Sequence, residues 1–309
     1  MIYVEMLGRM GNQMFSYAFA RKIQIDNPNQ MIATDFSNFE HIDESWIDYL
    51  DYFDCSYNHI VATRKTSFLQ KMILHLYFTQ KKGRHTNIDS YEKRCARLLQ
   101  LFGLYIYETG FFPFKTRDFN KNKLLIGYFE SSNYFDDIKP ILKKDFDISG
   151  IEQRNHLKKY FEKIDPNRDV CVGIRKWSKI LDSNEYNVCS AEYYYNAIRK
   201  IKTRCKLERI KLYIFTEDPE WAKENYPFED ETEYITSSVN GEIKPWEAMC
   251  LMMRFKYYII ANSSFFWWGQ YLSKYEDRVT VAPAKWRGIN FESHRDIYQK
   301  DWLLVDVEQ

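Results

Sequence analysis

The stretch KYYIIANSSFFWWG (256–269) decides the fold. Residues 256–261 form a short, nearly continuous apolar run, which is how a strand covered on both faces reads. The run passes without a linker into Asn262, Ser263 and Ser264, residue types that open helices by accepting from free backbone amides. The next residues, through about 274, continue as that helix. A strand feeding directly into a helix is half of a βαβ unit, and the same alternation recurs on both sides of this segment. Residues 169–175 (DVCVGIR) read as a strand followed by a helix over 190–203 that begins at Ser190. Residues 211–216 (KLYIFT) read as a strand with a helix from Pro219, and 278–282 (RVTVA) as a last strand closed by Pro283.

Upstream, residues 2–6 (IYVEM) predict a strand, 8–11 a glycine turn, and the following residues a helix to about 25. Residues 31–35 and 123–127 predict further strands, with a basic helical region at 64–101 between them. The polar break Asp165-Pro166-Asn167-Arg168 predicts a boundary that separates domains at 1–165 and 166–309. The expectation is therefore an α/β protein with two open parallel sheets and a cleft between them.

Composition narrows the function classes. The chain has 309 residues, 45% hydrophobic and 28% charged, enough apolar mass for sizeable cores. Forty-four Lys and Arg against 43 Asp and Glu leave a net charge of +1, which argues against general nucleic-acid binding. No run of 18 apolar residues predicts a membrane span, and the N-terminus, with Glu5 in its apolar stretch, does not read as a secretory signal. The six cysteines and six histidines are dispersed, so neither zinc nor a disulfide framework is expected, and a reducing cytoplasm fits. Aromatic residues at 17% suit an aromatic-rich core as well as a surface for sugar rings.

In open α/β sheets, ligands bind beyond the carboxyl ends of strands, and four such ends carry unusual polar sets. The first is GRMGNQMF (8–15), where Gly8 and Gly11 allow close backbone approach and Arg9, Asn12 and Gln13 supply donors. Its glycine spacing is wrong for a dinucleotide fingerprint, although Asp35 sits where a ribose-binding acid would in an NAD-dependent dehydrogenase. The second is Arg175 with Lys176, able to clamp a phosphate or pair with an acid. The third is TEDPEW (216–221), where Glu217 and Asp218 either cap a helix or bind a ribose or base. No Asp-x-Asp metal site is present there, so no metal is expected. The fourth is Asn262-Ser263-Ser264, where free amides, hydroxyls and a helix dipole suit a diphosphate, with Trp267 and Trp268 beside them.

Four blocks, GRMGNQMFSYAFA (8–20), GYFESSNYF (127–135), YIFTEDPEWAKENY (213–226) and IIANSSFFWWGQYL (259–272), resemble those of the family 11 glycosyltransferases, the α-1,2-fucosyltransferases. They stand in the family's order and span nearly the whole chain. The resemblance implies a GT-B fold of two Rossmann-like domains, an acceptor-side domain at 1–165 and a nucleotide-sugar donor domain at 166–309. It further implies inverting, metal-independent transfer from GDP-β-L-fucose to a galactose hydroxyl, with no cofactor beyond the donor substrate. Arg175 would then bind the β-phosphate, and Ser263, Ser264 and Phe265 would hold the diphosphate. Asn12 would face the donor sugar, with Gly11 giving it room.

The chain departs from the family's phosphate motif, H-[IV]-R-R-x-D. It reads Gly173-Ile174-Arg175-Lys176-Trp177-Ser178, keeping the first arginine and placing Lys176 at the second. The family's acidic pair before the Asn-Ser-Ser block is reduced to Glu247. These changes leave room for another nucleotide sugar, or for a catalytically weak nucleotide- or glycan-binding protein on the same fold. Residues 64–97 carry nine Lys and Arg against Asp89 and Glu92, with Leu69, Met72, Ile73 and Leu76 at helical spacing. They read either as a helix with a solvated basic side or as a peripheral contact with the inner face of the plasma membrane, where a lipid-linked glycan acceptor would lie. Members of the family in mammals carry an N-terminal span, so a bacterial, cytoplasmic form is expected.

Overall fold

The computed structural model describes residues 1–37, 47–82, 88–108, 110–117, 122–177, 186–288 and 296–307. It divides into two compact α/β units. The first takes 1–146 with 296–298, and the second takes 147–288 with 299–307.

The first unit runs β1 (Ile2–Glu5), α1 (Met10–Asp26), β2 (Ile32–Asp35), β3 (His59–Val61), α2 (Phe68–Lys82), α3 (Ile88–Leu101), β4 (Leu104–Ile106), β5 (Lys123–Ile126) and α4 (Lys139–Asp145). Its sheet has the order β3-β2-β1-β5-β4, with every pairing parallel. All residues of β1, β2 and β5 are buried, as expected when helices cover a parallel sheet. Helix α1 begins at Met10, so Gly11 and Asn12 lie in its first turn and not in the loop before it. The turn itself rests on Gly8 at φ +67°, a conformation that a side chain disfavours. The basic region 64–101 resolves into α2 and α3, whose Tyr77 and Tyr91 rings stack at 5.6 Å.

The second unit runs α5 (Asn155–Lys163), β6 (Asp169–Gly173), α6 (Ala191–Cys205), β7 (Lys211–Thr216), α7 (Pro219–Asn225), β8 (Glu231–Thr236), α8 (Pro245–Met252), β9 (Tyr257–Ile259), α9 (Ser264–Tyr271), β10 (Val279–Pro283) and β11 (Leu303–Val305). Its sheet has the order β11-β10-β9-β6-β7-β8, again wholly parallel. Ser190 caps α6 by accepting from the Tyr193 amide at 3.3 Å, and Asp218 caps α7 by accepting from the Trp221 amide at 3.0 Å.

The structure divides the chain after Phe146, whereas the sequence suggested a boundary after Asp165. Helix α5 belongs with the second unit because Arg154 and His156 pair with Glu247 of α8. The polar break is instead a tight turn leading into β6. The Asp165 carboxylate accepts from the Asn167 amide at 2.9 Å, and the Asp165 amide donates to Asp169 at 2.9 Å. Trp267 and Trp268, set beside the two serines by the sequence, are fully buried and pack on Tyr271, so they build the core.

Candidate functional site

The chain order around the second sheet reverses beside β6. From β6 the connections step outward through β7 to β8, then return to place β9 on the other side. A crevice opens at the carboxyl ends of strands where such a reversal occurs. Its flanks here are Arg175 and Lys176, just after β6, and Asn262–Phe265, just after β9. Glu217 and Asp218 follow the adjacent β7. Three of the four polar sets therefore meet at one sheet edge.

These charged residues hold one another in place. Arg175 Nη1 lies 3.2 Å from Glu217 Oε1, and its guanidinium sits 5.2 Å from the Trp177 ring centroid. The same Glu217 oxygen accepts from the Lys176 amide at 3.1 Å. Lys176 Nζ donates to Asp218 Oδ2 at 2.6 Å and lies over the Trp221 ring. Asp218 thus caps α7, one of the two tasks the sequence allowed it, and also pairs with a cation. Both cations are about a quarter exposed, so a ligand can reach them. Ser178, the end of the altered motif, lies outside the described residues.

Across the crevice, Ser263 is the N-cap of α9, with an extended backbone and no side-chain cap bond. Ser264 opens the helix and Phe265 is half-buried. The Ser263 amide donates to Ala261 O at 2.8 Å, and because its hydroxyl makes no bond to the helix amides, the positive end of the α9 dipole suits an anion. Asn262 has a different task. Its amide donates to the Tyr186 carbonyl at 2.8 Å and the Trp286 carbonyl at 3.0 Å, and its oxygen accepts from Cys189. At 4% exposure it pins two segments, 186–189 and the loop at Trp286, against the end of β9.

Gly173 is explained by a close approach. A Cβ there would meet the Phe266 ring at 2.4–2.6 Å. The ring, 4% exposed, fills the space that any side chain at 173 would need.

Glu247 stands in the first turn of α8, the helix that follows β8, and is held within the second unit. It accepts from the Lys244 amide at 3.0 Å in a capping box, from Arg154 at 2.5 Å and from His156 at 3.2 Å. Burial alone would raise its carboxyl pKa. The Lys244 amide, His156 and Arg154 outweigh burial and hold it below the ordinary value. A carboxyl depressed on folding stabilises the native state above its unfolded pKa, and that contribution is lost as pH falls through the folded one. Glu247→Gln is expected to cost about 1–3 kcal/mol at neutral pH, the penalty for weakening a buried charged hydrogen-bond set. In urea unfolding, the gap between variant and parent should close below about pH 4, the ordinary Glu range. A gap independent of pH would remove the charge from the account.

In the first unit the reversal falls between β1 and β5, and the glycine turn follows β1. The Asn12 side-chain Nδ2 lies where a Cβ on Gly8 would project, 2.3 Å from that position. Gly11 is buried and Asn12 half-buried. Gln13, offered as a donor by the sequence, is fully buried and engaged. It donates to Ile47 O at 2.9 Å and Gly8 O at 3.3 Å and accepts from the Tyr49 amide at 3.0 Å.

The same strand ends border a cavity of about 510 Å³ flanked by α2 and lined by Glu5, Arg64, Phe78, Glu108 and Ile126 among others. Glu5 pairs with Arg64, whose amide donates to Asp35. Asp35 thus anchors Arg64, a task that differs from the ribose contact weighed for it. Glu5, interrupting an otherwise apolar strand, was the one sequence signal of this cavity. Among the described residues, Asp48, Asp51 and His59 form the one group able to converge on a metal, their ligand atoms lying within 4.8 Å of one another. It belongs to the first unit, and His59 already lies 3.5 Å from Asp48.

Two parallel-sheet α/β units, each with polar residues at its topological reversal, are the architecture of GT-B glycosyltransferases. The chain belongs to glycosyl transferase family 11, whose family model matches residues 1–306. Among its relatives is an α-1,2-colitosyltransferase of Escherichia coli, 24% identical over 99% of both chains. Another is the O-antigen biosynthesis glycosyltransferase WbnK of Escherichia coli, 27% identical over 94% of this chain and 97% of the relative. Among solved structures, the NodZ α-1,6-fucosyltransferase co-crystallized with GDP shares the fold, with a TM-score of 0.52 at 11% identity, covering 87% of this chain and 91% of that one.

Proposed function

We propose that the protein transfers L-fucose from GDP-β-L-fucose, with inversion and without a metal, in α-1,2 linkage to a galactose-containing glycan of surface-polysaccharide assembly. The observation that carries this reading is the placement of Arg175 and Lys176 opposite the uncapped start of α9 at one sheet reversal. Two cations and a helix N-terminus suit a diphosphate, and they can neutralise the charge that grows on the leaving GDP without a metal ion. Arg175 and Lys176 would take the phosphates, with Ser263, Ser264 and Phe265 closing on them. Glu217 and Asp218 would orient both cations. Asn12 and Gly11 would serve the donor sugar. The cavity of the first unit, with carboxylates for hydroxyl donors and Phe78 for a sugar face, suits the acceptor. Family membership and the relative named for O-antigen biosynthesis support a glycan product.

A second donor is favoured by one observation. The Phe266 ring fills the space where the family motif carries histidine, so one polar partner for a sugar hydroxyl is missing, which suits a sugar with fewer hydroxyls, such as colitose. A relative named for colitosyl transfer supports this donor.

Calorimetric titration with GDP, UDP, CDP and NADH in EDTA tests the donor site, followed by titration with the GDP sugars. Binding of GDP alone is the expected result. Preference for UDP, or no nucleotide binding, would overturn the GDP-fucose and GDP-colitose readings and leave the family assignment standing. Donor hydrolysis without acceptor then separates an enzyme from a mere binder, because a binder shows none above background.

A further inference from the structure

Helices α2 and α3 leave an apolar face open. Their inner sides are accounted for: Tyr77, Tyr91, Leu99 and Ala96 are buried, with Ile73, Leu74 and Phe78 packed against the sheet core. Their outer sides should then be polar. They are not. Phe68 is 83% exposed, Leu69, Met72 and Leu76 about half, Leu98 59% and Leu101 71%. In α2, positions 68, 72 and 76 lie on consecutive turns of one side. Isolated exposed apolar residues need no explanation, but a cluster of six on two packed helices marks a contact surface.

The charge around this cluster selects the partner. Lys65, Lys71, Lys82, Lys93, Arg94 and Arg97 are all exposed around it. No acidic residue occurs between Arg64 and Lys82. The two acids of α3 are both engaged, Asp89 with Lys93 at 2.7 Å and Glu92, buried, with Lys81 at 2.6 Å. Arg84 lies outside the described residues. Basic side chains around large apolar ones are the pattern of helices that lie in the interface of an anionic bilayer. A protein partner with an ordinary mixed surface would be met by charges of both signs.

We propose that α2 and α3 seat the protein peripherally on an anionic lipid bilayer, with Phe68, Leu69, Met72, Leu76, Leu98 and Leu101 entering the headgroup boundary and the basic residues contacting lipid phosphates. No helix among the described residues is long and apolar enough to cross a membrane, so this face would lie on the bilayer and not span it. The cavity of the first unit opens along the same helix, sharing His75, Thr79 and Lys82 with it. A glycan carried on a lipid would therefore reach the cavity from the surface on which the helix rests. That last step depends on the acceptor reading above. The docking does not.

The test is flotation of the whole chain with vesicles of phosphatidylcholine containing about a third phosphatidylglycerol, against phosphatidylcholine alone, at low and high salt. Anionic vesicles should carry the protein up at low salt, with binding weakened at least about tenfold in high salt or on neutral vesicles. Phe68→Ser with Met72→Ser should weaken binding about tenfold or more while leaving the melting temperature and GDP binding unchanged. A charge-reversed Lys71→Glu with Lys82→Glu variant should lose it as well. Absence of flotation on anionic vesicles at low salt, or equal flotation of the serine variant, overturns the proposal. So does a dimer in light scattering that dissociates in the serine variant, because a second copy would then be the occupant. None of these readouts uses turnover, so failure of the donor reading would leave the result legible.

Discussion

Arg175→Ala is expected to lower kcat/KM by about a hundred- to a thousandfold, roughly 2.7–4 kcal/mol of lost stabilisation, as when one preorganised donor to a developing charge is removed. Folding should scarcely change. Arg175 and Glu217 are each about a quarter to a third exposed, and a partly exposed ion pair contributes about 0–1 kcal/mol. The contrast between turnover and melting temperature is the informative quantity. Arg175→Lys should recover only part of the loss, because an ammonium keeps the charge but not the fork that holds two phosphate oxygens. Turnover of Arg175→Ala equal to the parent's would remove this residue from the mechanism, and the reading of the crevice would then rest on Lys176 and α9.

Gly173→Ala should have the largest effect on stability for the smallest change in chemistry. One methyl would have to enter a volume held by ring carbons of Phe266, closer than non-bonded carbons tolerate. The ring is buried between β6 and α9, so relief requires shifting the helix or bending the strand. Overpacking of this kind costs about 1–3 kcal/mol. Phe266→Ala removes the obstacle, at the cost of a cavity of its own of about 3–5 kcal/mol. In that background Gly173→Ala should be nearly neutral, a coupling of about 1 kcal/mol or more measurable by a urea-unfolding cycle. Strict additivity would show that the ring does not impose the glycine. The same logic applies to restoring the family's histidine at 173, which should be tolerated only together with a smaller residue at 266.

Much of this site could be read from residue order because strand ends are marked by abrupt changes of chemistry. KLYIFT followed by Glu217-Asp218, and the 256–261 run followed by Asn262-Ser263, each place polar residues where an apolar run stops, and both strands and both helices stand where that reading put them. Side-chain direction was less legible. Asn262 and Gln13 carry polar groups at the right edges, yet both are turned inward to satisfy loop carbonyls and amides, a requirement that comes from loops distant in the chain. Glu247 was similarly claimed by α5, through Arg154 and His156, about ninety residues earlier. The boundary after Phe146 was missed because a polar turn inside a domain has the same composition as a linker. Short edge strands such as β3 and β4, three residues each, carry too little periodicity to register.

Glu217 gives the crevice a resident anion. One of its oxygens engages the Arg175 guanidinium and the Lys176 amide together. On the donor reading proposed above, a diphosphate that takes Arg175 would do so in competition with a carboxylate tethered to the neighbouring strand and always present at high local concentration. Part of the attraction between arginine and phosphate would thereby go into breaking the internal pair, and would be recovered when the nucleotide departs. On that reading the pair would work as a buffer on affinity, lowering the grip on spent nucleotide while keeping the guanidinium aimed between turnovers.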